Sequence, residues 1–417
     1  MPRLVVVVLT SFLLVTICLP AFPAGAGSGA SGIDTSQAYA SGFISGSQGA
    51  WYTWVNVQGV KLVFLALYSP VYNSPVFTFV GQEYNSSSGN PVFVGNSLML
   101  MEVFNDTNHN GILNANYTSG HSELKFTVIM NSSQSFTSTP VSENSSDGVS
   151  NFHWGIDYRG IDAFLIIPDN QSSGYEGGTS ASKVALDHFA VSYDYSITNS
   201  TARLESKYDI GNFTLVPNTG DQSGNRTVNL NGLSLALFFS TETISPKSYS
   251  VKTTALGSSG SLLSNAKVLI ENSTAFEFLF NDNYTLYETP PSVFDAKVAS
   301  APLDSVPSFG VTDSWFSPIL RVQTYLQSLP IYAGLPSTPD LNYSFSRFMY
   351  RLSFEQWSGH ALTEDPTFIA YINVRGFASA SFPVSLVIIA GVTGILLTAI
   401  AFFDVSRGKR RPLQASG

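Results

Sequence analysis

The chain has 417 residues, of which 44% are hydrophobic, 13% aromatic and only 12% charged, with a formal net charge of −9. That much apolar material buries a core and excludes a disordered polymer. The negative balance, with no Lys/Arg stripe through the middle of the chain, excludes a nucleic-acid-binding surface.

In chain order, residues 1–26 read as a secretory signal: Arg3, an apolar run from Leu4 to Pro20, then Ala24-Gly25-Ala26 as a cleavage site. An uncleaved anchor is the alternative reading, with the apolar run near the lower length limit for spanning. Residues 27–50 are small and polar and read as a flexible lead. Gly27, Gly29 and Gly32 in that lead have dinucleotide-loop spacing, but no strand precedes them and no helical pattern follows, so no such site is expected.

From Trp51 onward strand patterns dominate. Ala190 to Thr198 alternates strictly, Val191, Tyr193, Tyr195 and Ile197 on one face and Ser192, Asp194, Ser196 and Thr198 on the other. Similar runs cover 61–68, 76–80, 97–104, 123–130, 162–167, 203–210, 233–239, 275–280, 348–354 and 368–374, punctuated by Asn, Gly, Pro and Ser. The fold class expected is all-β: one large or two tandem antiparallel β-sandwich domains, since such sheets bury one face and wet the other. Two tandem units would comprise residues 51–217 and 228–375, divided at the Gly/Asn/Ser stretch between them. One short helix is expected at Ser317, Pro318, Ile319, Val322, Leu326 and Leu329.

Residues 376–383 read as a short stalk. Residues 384–403 hold twenty uncharged apolar-rich positions, enough at about 1.5 Å per residue to cross the roughly 30 Å hydrocarbon core as a transmembrane helix. Asp404, Arg407, Lys409, Arg410 and Arg411 follow, so the 404–417 tail is expected in the cytoplasm and everything upstream outside, in a single-pass protein of the cell membrane.

Asn-x-Ser/Thr sites occur at Asn85, Asn105, Asn116, Asn131, Asn144, Asn170, Asn199, Asn212, Asn225, Asn272, Asn283 and Asn342, all between the two apolar runs. Composition alone would give roughly five, so N-glycosylation is expected. The single cysteine, Cys18, lies in the signal, so the mature ectodomain carries no disulfide. Glycosylation signals without disulfides point to an archaeal-type cell surface.

The run Phe104 to Asn114 is the one local pattern resembling a chemical device. Asp106, Asn108, Asn110, the Ile112 carbonyl and Asn114 stand at positions 1, 3, 5, 7 and 9 of a calcium loop, with Gly111 at the sharp turn. Over residues 106–114 it resembles the loop of EF-hand and dockerin-like proteins, which implies a structural, weakly bound Ca2+. Position 12, normally a bidentate carboxylate, is Tyr117, unless Glu102, Glu123 or another part of the chain completes the set. Asn110-Gly111 equally reads as a metal-free hairpin turn closed by Asp and Asn side chains.

Catalytic patterns are sparse. His109, His121, His153, His188 and His360 have no zinc-type spacing. Asp157 and Asp162 near Trp154 and Tyr158 have the composition of a glycosidase acid pair, and Met99, Met101 and Met130 with His109, His121 or His153 that of a b-type haem bracket. The function expected is a membrane-anchored, N-glycosylated envelope component with a non-catalytic binding or structural role, its partners the lipid bilayer and an envelope protein or glycan. The alternative is an enzyme or redox protein, a glycoside hydrolase or haem-binding sandwich.

Overall fold

The computed structural model describes residues 33–45, 48–57, 60–69, 76–84, 92–114, 123–146, 149–167, 179–198, 201–216, 228–246, 250–255, 263, 265–270, 273–280, 283–301 and 343–371. The strands are β1 (Ile33–Ser45), β2 (Gln48–Val57), β3 (Val60–Ser69), β4 (Val76–Tyr84), β5 (Val92–Phe104), β6 (Leu124–Ser146) and β7 (Val149–Ile167). Next come β8 (Thr179–Ile197), β9 (Thr201–Ile210), β10 (Phe213–Leu215), β11 (Ser234–Pro246), β12 (Val251–Ala255), β13 (Asn265–Ile270) and β14 (Ser273–Leu279). The last six are β15 (Asn283–Tyr287), β16 (Ser292–Asp295), β17 (Lys297–Ser300), β18 (Tyr343–Phe354), β19 (Ala361–Glu364) and β20 (Thr367–Tyr371). Among the described residues there is no helix, and so none long and apolar enough to cross a membrane.

All strands belong to one antiparallel sheet, and it nearly closes on itself. The circuit runs β18–β11–β5–β6–β7–β8–β9–β20–β14–β13–β12, with β12 lying alongside β18. β5 has β11 along one edge, and its other edge is shared by β4 near its start and β6 near its end. β9 is shared in the same way by β20 and β19. Because β5 pairs with β11 and β9 with β19 and β20, residues on both sides of 217–228 are stitched into the same ladders.

The inner faces make one core. Phe152, Trp154, Ile156 and Tyr158 of β7 meet Val191, Tyr193 and Tyr195 of β8, Leu204 and Tyr208 of β9, and Leu237, Phe239, Tyr350 and Leu352 of β11 and β18. Alternation holds along β8 as the sequence predicts, with Val191, Tyr193, Tyr195 and Ile197 buried and Asp194 exposed. Parity changes at two places. In β7 the inward set shifts from Phe152, Trp154, Ile156 and Tyr158 to Ile161, Ala163 and Leu165 across Gly160, whose φ of 58° is a conformation that glycine adopts at little cost. In β5, register slips between its partners Phe238 and Phe239, so Leu98 and Met101 face the core while Met99 and Leu100 face away.

β5, β11 and β18 are buried on both faces. On the second face Met99, Leu100, Phe238 and Ala301 form one small cluster, and Phe104, Leu113, Leu124 and Ala236 another.

Several expectations are met differently or not reached. β1 runs through the stretch read as a flexible lead: β2 pairs with it from Ile33↔Val57 to Ser45↔Gln48, and backbone pairing does not require the apolar alternation that the sequence reading sought. β6 and β7 extend far beyond 123–130 and 162–167, because cross-strand pairing carries the Ser/Thr-rich run 131–146 as a ribbon. The 1–26 signal, the helix at 317–329, the 376–383 stalk, the 384–403 transmembrane segment and the tail lie outside the described residues.

Candidate functional site

The run at 106–114 leaves the end of β5 and returns to β6, and a buried carboxylate closes it. Asp106 accepts from two loop amides, Asn110 N–H to Oδ1 at 3.2 Å and Gly111 N–H to Oδ2 at 2.8 Å. Asn108 Oδ1 accepts from the Asn110 N–H at 3.0 Å, and Asn110 Oδ1 from the Ile112 N–H at 2.8 Å. The alternate residues that sequence spacing singled out thus fold back on their own backbone, as short Asx side chains do in tight turns. His109 takes φ 56° and Gly111 φ 72°, the pair of left-handed residues that lets the chain reverse.

Glu123, 5% exposed at the head of β6, supplies what position 12 lacks. Its Oε1 accepts from Thr107 N–H at 3.1 Å and Thr107 Oγ1 at 2.8 Å, and its Oε2 from Asn114 N–H at 2.9 Å. Its backbone pairs with both ends of the run, Asn105 N–H to Glu123 O and Glu123 N–H to Asn114 O. Glu102 does not reach the loop; it is committed to Arg351 at 2.6 Å. Tyr117 lies outside the described residues.

A second clamp comes from far along the chain. Lys297 of β17 donates to the Asn110 carbonyl at 3.2 Å and pairs with Glu355, just beyond β18. Gly111 lies so close under this pair that a Cβ there would stand 1.7 Å from Glu355 Oε1. Tyr284 of β15 donates its hydroxyl to the Glu355 carbonyl, and burial together with the nearby Glu355 charge pushes that phenol well above its usual range. The 355–360 turn is anchored by Trp357, buried edge-on to Phe213 at 4.9 Å, and by Gly232 N–H to Ser358 Oγ at 2.9 Å.

Asp106, Asn108, Asn110, Ile112 and Asn114 therefore share one loop, and both Asp106 oxygens and Glu123 Oε2, each accepting one N–H, keep a second lone pair for another partner, whereas Glu123 Oε1 already accepts two bonds from Thr107. The set is compatible with a hard cation of low affinity, with Glu123 as the closing carboxylate. No group of three or more His, Cys, Asp or Glu among the described residues is gathered as a metal cluster.

The other constellations are drawn apart. Asp157 bonds Arg159 at 2.7 Å and Asp162 bonds Lys183 at 3.0 Å, on opposite sides of Gly160, while Trp154 and Tyr158 point into the core. Met101 and Met130 face the core and Met99 the second face, whereas His153 faces outward and bonds Asp194 at 2.7 Å. His109 is exposed on the loop, and His121 lies outside the described residues.

Of the sequons among the described residues, Asn105 and Asn212 fall between strands and Asn131, Asn144 and Asn283 within them; Asn85, Asn116, Asn170, Asn199, Asn225, Asn272 and Asn342 lie outside the described residues. Asn144 is exposed. Asn212 has both ends of its amide engaged, Nδ2 to Asp187 Oδ2 at 3.1 Å and Oδ1 from Ala361 N–H at 3.0 Å.

No described protein family matches the chain, and no curated protein matches it.

Proposed function

We propose that this is a membrane-anchored, N-glycosylated cell-surface protein whose β ectodomain, a sandwich-like closure of the single sheet, has a binding or structural role toward an envelope protein or glycan. The observation that carries the reading is the distribution of sequons. All twelve lie between the two apolar runs of the sequence, where composition alone would give roughly five, and among the described ones Asn144 is exposed. Anchorage rests on the apolar run 384–403 and its basic flank.

The interior supports a surface role. Phe239 stacks on Tyr350 at 5.1 Å, Tyr350 meets Phe280 at 4.8 Å, and Trp154 stacks on Tyr193 at 5.6 Å, so among the described residues aromatic rings pack against one another on the inner face. The crevice between Asn96, Tyr208, Phe280 and Tyr350 admits no more than about one water molecule. Recognition then falls to loops and outer faces. In this reading the 106–114 loop is a rigid pole of the ectodomain, stiffened by Glu123 and by a calcium ion of millimolar affinity.

The test is protease treatment of intact cells expressing the full chain with a C-terminal epitope, combined with intact mass. Loss of the ectodomain with survival of a short tagged fragment, and a mass above that of the polypeptide, are expected. Full protection from protease in intact cells, or a mass equal to the bare chain, overturns anchorage or glycosylation respectively.

A further inference from the structure

The strand registers place the two poles of the sheet. At one pole β20 ends at Tyr371, beside Thr201 at the start of β9; Ala202 pairs with Ile197 near the end of β8, and Ile197 with Ser150 near the start of β7. The β6–β7 hairpin closes here at Ser146↔Val149. At the other pole β5 ends at Phe104 opposite Ser234, and Leu235 pairs with Phe354. Leu362 pairs there with Ile210, and Tyr287 with Ala361. The Glu123-closed loop, the 355–360 turn and the β15–β16 hairpin therefore lie together, ten residues of β9 away from Tyr371, or about 30 Å at ~3.3 Å per residue.

We infer that the Tyr371 pole faces the bilayer and that the pole carrying the 106–114 loop and the β15–β16 hairpin is the outward, partner-facing surface. The inference rests on the proposed anchor at 384–403. Twelve residues separate Tyr371 from that run, a reach of about 40 Å when fully extended. A tether that doubled back to the opposite pole would spend about 30 Å of this reach along the side of the sheet and keep only about 10 Å, whereas at the Tyr371 pole the whole reach is free, which favours the bilayer at the end from which the chain leaves.

Charge supports the same orientation. The strand ends at the Tyr371 pole are uncharged: Asn144, Ser145, Ser146, Val149, Ser150 and Asn151 on the long hairpin, Ser196, Ile197, Thr198, Thr201 and Ala202 on the next turn. Charged side chains gather at the other pole, including Asp106, Asp187, Asp209, Glu288, Lys297 and Glu355. Among the described side chains, the carboxylates nearest this pole, Glu277, Asp194 and Glu205, are paired with Lys267, His153 and Arg203, so it approaches anionic headgroups with little repulsion, and a charged pole suits an aqueous partner. The two large hydrophobic side chains exposed among the described residues, Tyr287 at 48% and Val293 at 67%, both lie on the outward hairpin. Apolar side chains beside acidic ones give the composition to dock a protein with a mixed basic and apolar face.

The experiment uses the full chain in vesicles containing an acceptor-labelled lipid, with a donor dye on a single introduced cysteine and Cys18→Ser as background. Asn151→Cys reports the Tyr371 pole, being in register with Ser196 and Arg203. Val293→Cys reports the other, through Thr285, Thr363 and Asp209. The two stand about 20 Å apart along β9, and energy transfer to lipid is expected to be at least about twofold stronger from position 151. Equal transfer, or stronger transfer from position 293, overturns the orientation while leaving anchorage intact. Absence of the protein from floated vesicles overturns the anchor itself, and with it the orientation.

Discussion

Glu102 and Arg351 meet across the central strand β11 as a bidentate pair, Nε to Oε2 at 2.6 Å and Nη2 to Oε1 at 3.1 Å, with side chains 0% and 3% exposed. The guanidinium also lies 5.1 Å from the Phe238 ring centroid. The pair spans β5 and β18 on the second face, so it ties the ladder that joins early and late parts of the chain. Glu102→Gln or Arg351→Met leaves a buried charge uncompensated and is expected to cost about 3–5 kcal/mol, whereas Glu102→Leu with Arg351→Met recovers most of that loss. Urea midpoints for the three variants check this. A double mutant no more stable than the singles would refute it.

Gly111 and Gly232 make a matched comparison. Both have φ above +70°, but a Cβ at Gly111 would strike Glu355 while one at Gly232 meets nothing within 4 Å. Gly232→Ala is expected to cost about 1–2 kcal/mol of left-handed strain. Gly111→Ala adds the displacement of the Lys297–Glu355 pair, a further 1–3 kcal/mol or about that. Equal thermal shifts in the two variants would show that the clamp gives way freely.

Glu123→Ala removes the acceptor of the Thr107 and Asn114 amides, and with it about 2–3 kcal/mol. Hydrogen exchange at those two amides is expected to speed up far more than at Gly111, which Asp106 holds. In the native chain, 10 mM calcium is expected to stabilise by about 1.4 kcal/mol for an affinity near 1 mM, and Asp106→Asn to abolish that gain. No thermal shift with calcium would mean that the loop is closed by hydrogen bonds alone.

His188 and Asp209 face each other on the outer surface of β8 and β9 at 3.3 Å, with Thr363 donating to Asp209 and Asp157, Arg159 and Lys207 nearby. The hydrogen bond that His188 donates to Asp209 raises the imidazole above its ordinary value, and the same bond lowers the carboxyl of Asp209. The raised His188 stabilises fully below about pH 6.5, its unfolded value, and loses that contribution as pH rises through the folded one. The lowered Asp209 stabilises above about pH 4 and loses its contribution as pH falls through its folded value. The pair therefore contributes most between about pH 4 and 6.5, discounted for partial exposure. Asp209→Asn is expected to lower the His188 titration midpoint measured by NMR; an unchanged midpoint would contradict the pairing.

Much of the strand content was legible because burial on one face writes period-two alternation into the residues, as at Val191, Tyr193, Tyr195 and Ile197. The 131–146 ribbon and β1 were not, since their pairing draws on backbone groups that every sequence possesses. At the loop, spacing marked Asp106, Asn108 and Asn110, and those three do turn the backbone. The sequence allowed Glu123 only as one of several ways to complete the set, and gave no hint of Lys297 and Glu355. Lys297 lies 187 residues from its acceptor Asn110.

Composition, alternation and the local Asx pattern are properties of neighbouring residues, so the sequence by itself determined an all-β chain with a tight polar turn after β5. Which strands adjoin, and hence which distant side chains close the turn and which pole carries it, was decided only in the tertiary structure. The physical reason is that every strand edge offers the same hydrogen-bonding groups, and only packing of the two faces selects its neighbour.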